Sequence, residues 1–261
     1  MDTIFNITKW INDYVLGTGK KGVVVGLSGG IDSAVTATLC AKALGQANVV
    51  GVIMPIESNE QDEQDARFVA DFLRIKTITA DLNDTYIRMI EELKPVKELS
   101  KANLKARLRM STLYLYAQEY DYLVAGTDNK TEGLLGYFTK YGDGGVDFNC
   151  IGDFYKTEVF ELAKELNLPQ NIIDRTPTAG LWKGQTDEQE LGFSYSLIDK
   201  ILKTAIKMGM IYYLGDNAVI AEAIIKEIGL DNLSVEDIIN IIKRIKNNKH
   251  KSELPPIYER K

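Results

Sequence analysis

The segment Gly26-Leu27-Ser28-Gly29-Gly30-Ile31-Asp32-Ser33 constrains the fold more than any other part of the chain. It joins a short valine-rich run, Gly22 to Leu27, to an apolar stretch, Ala34 to Leu44, that ends at Gly45. The first reads as a buried strand and the second as a helix with a glycine stop. Glycines in such a turn let the backbone come close to a ligand and aim several N–H groups at it. The helix start adds a partial positive charge, which suits phosphate. Ser28 and Ser33 can each donate a hydroxyl hydrogen. Asp32 has no use against a bare phosphate, because like charges repel; it makes sense as a ligand of Mg²⁺ that bridges to phosphates. A lone Ser-Gly-Gly would read as a tight turn with a capped helix. The strand–turn–helix setting of the full motif favours a phosphate loop.

The rest of the chain repeats the alternation. Ile4, Ile7, Ile11 and Val15 recur at helical spacing before the loop. After it, Val49 to Met54 reads as a buried strand, Glu60 to Arg74 as a helix with a charged face, and Lys76 to Leu82 as a third strand. Asn83 to Leu93 and Ala102 to Tyr120 read as helices, and Tyr122 to Gly126 as another buried strand. Strands alternating with helices predict an α/β fold, a doubly wound parallel sheet with flanking helices. Ligands of such sheets bind beyond the carboxyl ends of the strands, where the glycine-rich turn lies. Thr127 to Asp153 is rich in Gly, Asp, Thr and Lys without helical periodicity, and reads as a functional loop region. Tyr155 to Leu166 is helical. Pro169 to Gly192 reads as a long loop, of the length often used for lids. Three further helices follow: Tyr195 to Met208, Asn217 to Ile228 and Val235 to Asn247. No internal repeat or boundary divides residues 1–261, which read as one domain.

Totals exclude several classes. The formal net charge of −6 argues against a broad nucleic-acid-binding surface. No apolar run approaches the roughly 20 residues needed to span a bilayer, and the N-terminus lacks a signal peptide's pattern, so a cytoplasmic protein is expected. The two cysteines, Cys40 and Cys150, form no CxxC pair, so neither a disulfide framework nor a zinc site is expected.

The Ser-Gly-Gly-Ile-Asp-Ser motif resembles the loop of enzymes that split ATP into AMP and pyrophosphate, among them asparagine, GMP and argininosuccinate synthetases, tRNA thiolases and NAD synthetases. A second segment chooses among them. Gly126 to Asp147, and above all Thr139-Lys140-Tyr141-Gly142-Asp143-Gly144-Gly145, resembles the central signature of NAD synthetases. Resemblance continues through Lys105 to Met110, Pro177 to Ala179, Asp187 to Gly192 and His250-Lys251, in matching order along nearly the whole chain. Two positions depart from the pattern. Asn129 stands where many relatives carry His, and Ile31 where others have Gln.

The resemblance implies a Rossmann-like fold of the adenine nucleotide alpha hydrolase type and an ammonia-dependent amidation of nicotinic acid adenine dinucleotide (deamido-NAD), with ATP as co-substrate and Mg²⁺ as cofactor. By position, Gly26, Leu27, Ser28, Gly29, Gly30, Ile31, Asp32 and Ser33 bind ATP together with Thr127, Lys156 and Thr178. Asp32 and Glu132 hold Mg²⁺. Arg107, Lys140, Asp147, His250 and Lys251 contact deamido-NAD. Asp143 is the candidate to take a proton from ammonium, with a turn role as the alternative. A homodimer is implied as well. Taken singly, Arg107 also reads as a solvated helix charge, Lys156 as an exposed helix start, Asp147 as a turn cap and His250 as part of a basic tail. Tyr137 and Phe138 read either as core or as a stacking surface for a pyridine ring.

A carboxylate does not accept ammonia directly, because its oxygen cannot leave. Attack on the α-phosphate of ATP would give an acyl-adenylate and expel pyrophosphate; ammonia then displaces AMP. Such catalysis is mainly positioning and charge neutralisation. The rivals are another ATP-splitting ligase, which paired cysteines or a basic extension would favour, and a non-catalytic nucleotide sensor. A glutamine-dependent enzyme would need an amidase domain, for which the chain has no room.

Overall fold

The computed structural model describes residues 3–178, 186–212, 215–229 and 234–259. Five parallel strands lie in the order β3-β2-β1-β4-β5: β1 (Val23–Gly26), β2 (Val49–Ile53), β3 (Lys76–Thr79), β4 (Leu123–Gly126) and β5 (Phe148–Asn149). The three central strands are built from Val, Ile, Leu, Ala and Gly because both faces of a parallel sheet are covered. β3 is largely exposed and alternates Lys-Thr-Ile-Thr, as suits a strand at the margin.

Both faces carry helices. On one, α1 (Thr3–Gly17), α2 (Ile31–Leu44), α3 (Glu60–Leu73), α7 (Lys156–Glu165) and α8 (Gln170–Ile173) enclose the main core with Val23, Val25, Val49 and Ile53. On the other, α5 (Glu98–Tyr120) packs over Val24, Val50, Val52 and Val124, with α4 (Asn83–Leu93) beside it. α10 (Tyr195–Lys207), α11 (Asn217–Ile228) and α12 (Val235–Asn248) form a separate apolar cluster, rich in isoleucine. Ile224 is central to it, and Ile211 and Ile225 pack against it, so these side chains serve the core. Leu135 and Tyr155 also belong to this cluster, tying it to the sheet domain.

Three expectations change. Thr127 to Asp153 is not all loop, because α6 (Lys130–Leu135) and β5 lie within it. Asn129 starts α6 with a capping box: its side chain accepts the Glu132 N–H at 3.1 Å, and Glu132 accepts the Asn129 N–H at 3.2 Å. Pro169 to Gly192 likewise contains α8 and α9 (Asp187–Leu191), while residues 179–185 of the expected lid lie outside the described residues. The chain continues the helix of the first turn earlier than its pattern indicates, so Ile31, Asp32 and Ser33 belong to α2.

Candidate active site

The strand order reverses beside β1: β2 follows on one side, and β4 enters on the other. The carboxyl ends of β1 and β4 therefore open a crevice at the switch point. The first turn of α2, after β1, delivers Asp32 and α6, after β4, delivers Glu132, although 100 positions separate these residues in the chain. A cavity of about 680 Å³ lies there.

The glycine-rich loop after β1 is wound on itself. Ser28 Oγ accepts the Gly30 N–H at 3.2 Å and lies 3.2 Å from Ser33 Oγ, which donates to the Gly30 carbonyl at 2.9 Å. Gly29 adopts φ +76°, and a Cβ there would fall 2.4 Å from Arg175 Nη1 and 2.8 Å from the Asp62 carbonyl oxygen. Only glycine satisfies both demands. Among the described residues no side chain caps α2, and the uncapped first-turn N–H groups of a helix suit an anionic ligand.

At the centre, the Lys156 ammonium, almost fully buried, donates to Asp32 Oδ2 and to Glu132 Oε1, the latter at 3.2 Å. Asn129 Nδ2 donates to the other Asp32 oxygen at 2.9 Å. Burial pushes the Glu132 carboxyl up to about 7, against the opposing pull of the Lys156 cation. The Lys156 pKa lies above the ordinary lysine value: burial acts to lower it, and Asp32 and Glu132 overcome that.

Around this centre the cavity is strongly acidic. Asp128, one residue after Thr127, is raised well above the carboxylate range by burial and by the charges of Asp143, Glu132 and Asp32. Asp143 is also raised by burial, although it accepts the Thr139 N–H at 2.8 Å and faces Lys251 and Arg109. Asp187 accepts from Tyr195 at 2.8 Å and Tyr137 at 3.2 Å. The cations that line the cavity with them are Lys156, Arg109, Lys251, Arg244 and Arg175; Arg175 pairs with Asp62 and, at 2.9 Å, with Asp65.

Most expected residues meet here. Gly26, Leu27, Ser28, Gly30, Ile31, Asp32, Ser33, Thr127, Glu132, Asp143, Lys156, Thr178 and Lys251 line the cavity, as do Tyr137 and Phe138. Arg107, Lys140, Asp147 and His250 lie outside the lining, as does Gly29 of the loop itself. The first two join the C-terminal segment at the rim: Arg107 donates to the Lys140 carbonyl at 3.3 Å, and Lys140 Nζ donates to the His250 carbonyl. Lys251 Nζ donates to the carbonyls of Gly136 at 2.8 Å and Phe138 at 3.0 Å. Asp147 is spent on the sheet, accepting the Val124 N–H at 2.7 Å and the Tyr114 hydroxyl at 3.1 Å. Sequence reasoning missed Asp128, Arg109, Arg175 and Asp187. For Arg109 a signal existed, since Asn103, Ala106, Arg109, Met110 and Leu113 line the cavity at helical spacing along α5.

Fold and site together mark an α/β protein of the nucleotide-binding class, with a glycine-rich loop at its switch point. Residues 3–255 match the family model for NAD synthase, and the chain belongs to that family. It is 45% identical to the NH(3)-dependent NAD(+) synthetase of Methanosarcina mazei, covering 97% of this chain and 96% of that protein. Among solved structures, the NH3-dependent NAD synthetase of Campylobacter jejuni superposes with a TM-score of 0.77 at 34% identity, covering 99% of this chain and all of that one. NMN synthetase from Francisella tularensis superposes with a TM-score of 0.82 at 35% identity, covering 98% and 96%.

Proposed function

We infer that the protein amidates deamido-NAD to NAD⁺ with ammonia and ATP, releasing AMP and pyrophosphate. The observation that carries this reading is the meeting of Asp32, Lys156 and Glu132 beside the phosphate loop, in a chain similar over 97% of its length to an NH(3)-dependent NAD(+) synthetase. The loop N–H groups and the start of α2 would hold the ATP phosphates, with Thr127 and Thr178 beside them. Lys156 would neutralise charge on the departing pyrophosphate. Asp32 and Glu132 offer hard oxygens that already share one cation, Lys156, so the pair fits a magnesium ion. Bound there, Mg²⁺ would supply charge neutralisation at the phosphates. Asp143, held by the Thr139 amide, would take the proton that ammonium must lose before it attacks.

For the dinucleotide we assign Lys251 inside the cavity and Arg107, Lys140 and His250 at the rim, with Asp147 supporting the β4 end. Tyr137 and Phe138 line the same space. We further propose a cytoplasmic homodimer. In support, no helix among the described residues is long and apolar enough to cross a membrane, and α1 exposes Phe5, Trp10 and Leu16.

The similarity to an NMN synthetase favours one second reading, the same chemistry on nicotinic acid mononucleotide. One assay tests both. The protein is incubated with ATP, magnesium and ammonium, and with each acid substrate in turn. Formation of NAD⁺, AMP and pyrophosphate in equal amounts is expected. Higher kcat/KM with the mononucleotide would reassign the substrate, and absence of AMP would refute the adenylate route.

A further inference from the structure

Asp199 lies on α10, no residue of which lines the cavity, and it is only 2% exposed. A carboxylate buried this deeply is costly unless its oxygens are hydrogen-bonded. Both are. Oδ1 accepts the Thr131 hydroxyl at 2.5 Å, and Oδ2 accepts the Thr157 N–H at 2.9 Å. Thr131 Oγ1 in turn accepts the Lys156 N–H at 3.0 Å. The hydroxyl thus receives from one neighbour and gives its single hydrogen to the carboxylate.

These partners flank the reacting groups. Thr131 immediately precedes Glu132 in α6, and Thr157 immediately follows Lys156 at the start of α7. The amides of Lys156 and Thr157 open α7 and have no partner within the helix, so Asp199 and Thr131 supply what the helix cannot. The negative charge also sits favourably at a helix start. α10, which carries Asp199, also reaches the other end of the lysine: the Tyr195 ring lies 5.1 Å from the Lys156 ammonium, and its hydroxyl donates to Asp187 at 2.8 Å.

We propose that Asp199 is a positioning residue, which locks α6 to α7 and thereby sets the spacing between Glu132 and Lys156. This rests on the roles assigned above to those two residues. Losing either end of the Asp199–Thr131 bond lets the two helix starts move apart. The carboxylate and ammonium then meet the phosphates out of register, while the dinucleotide contacts at Lys251 and the rim stay in place.

The test compares wild type with Asp199→Asn, Thr131→Val and Thr131→Ser. Four quantities are read: kcat, KM for deamido-NAD, the magnesium concentration that half-saturates calorimetric ATP binding, and the thermal midpoint. Asp199→Asn and Thr131→Val should each lower kcat and raise the magnesium requirement by about tenfold, the lower end of what removing a ligand-orienting group costs. KM for the dinucleotide should stay at its wild-type value, and Thr131→Ser, which keeps the hydroxyl, should restore kcat and the magnesium requirement. A folded Asp199→Asn protein with wild-type kcat and magnesium response would overturn the proposal. So would a Thr131→Ser protein no better than Thr131→Val. If Asp199→Asn does not fold, the Thr131 pair decides by the same criterion. If wild-type ATP binding ignores magnesium, the metal assignment falls and the kcat values still decide the role of Asp199.

Discussion

Replacing Lys156 by methionine removes the cation that Asp32 and Glu132 share while keeping most of the side-chain volume. Lys156 is 2% exposed, and the two carboxylate side chains are 17% and 14% exposed, so water offers little compensation. At an effective dielectric constant of about 20, a unit-charge contact at 3.2 Å is worth roughly 5 kcal/mol. Desolvation of the lysine offsets part of that, and breaking a buried pair from one side costs about 3–5 kcal/mol in practice. A loss of about 3 kcal/mol at pH 8 is therefore expected in metal-free protein. The pH dependence sharpens the test. Glu132 titrates in the folded protein near 7, above its ordinary value of 4.5. The folded state thus binds more protons than the unfolded chain between those values, and this group disfavours folding increasingly as pH rises through the window. Without Lys156 the carboxyl climbs further and the window widens, so the mutational loss should grow by about 1 kcal/mol from pH 6 to pH 8. Urea unfolding of both proteins at the two pH values measures this directly. A loss below about 1 kcal/mol at pH 8, or one that shrinks as pH rises, would show that Lys156 does not hold the two carboxylates together.

Gly29→Ala should destabilise the protein by about 1–2 kcal/mol, since alanine is strained at φ +76°; weakened ATP binding in calorimetry should accompany the fall in thermal midpoint, and an unchanged ATP affinity would take Gly29 out of the loop's working geometry. Asn129→Ala removes the cap of α6 and the bond to Asp32, at an expected cost of about 1 kcal/mol in denaturant unfolding. The same variant should raise the magnesium needed for turnover, and a normal magnesium titration would argue against Asn129 orienting Asp32. Asp147→Ala leaves the Val124 amide and the Tyr114 hydroxyl without their acceptor and should cost about 1–3 kcal/mol; full thermal stability with lost dinucleotide affinity would instead make Asp147 a direct substrate contact.

The sheet was readable because its central strands are short, apolar and valine-rich, and because a glycine turn follows the first of them. The placement of Asp32 beside Glu132 follows from topology, which periodicity alone does not supply; the match to a family's motif order bridged that gap. α6 escaped because six residues are too few for a helical repeat to register. Its Asn129-x-x-Glu132 start carried the signal, as did Thr186-x-x-Gln189 for α9. Arg107 and Arg109 show the limit of reading by motif. Two positions apart on a helix, they cannot share a face, and the cavity face marked by Asn103, Ala106, Met110 and Leu113 takes Arg109. Arg175 and Asp187 lie in a stretch with no periodicity to orient them, and only the folded chain brings them to the phosphate loop and to Tyr195.

The separate apolar cluster of α10, α11 and α12 bears on how the molecule comes apart. Its isoleucines form a cluster of their own, whose apolar links to the sheet domain, beside the bonds that Asp199 accepts from Thr131 and Thr157, include Leu135 and Tyr155, at the end of α6 and just before α7. Those are the two helices that carry Glu132 and Lys156. The helical layer can then open as a partial unfolding unit without melting the valine strands, and every such opening dismantles the acidic centre. A nucleotide bound as proposed, bridging the loop after β1 to residues held by that layer, would raise the free energy of this opening toward that of global unfolding. Amide exchange in α10 to α12 should therefore slow on ATP binding far more than exchange in β1 and β2, whose protection is already set by the complete core.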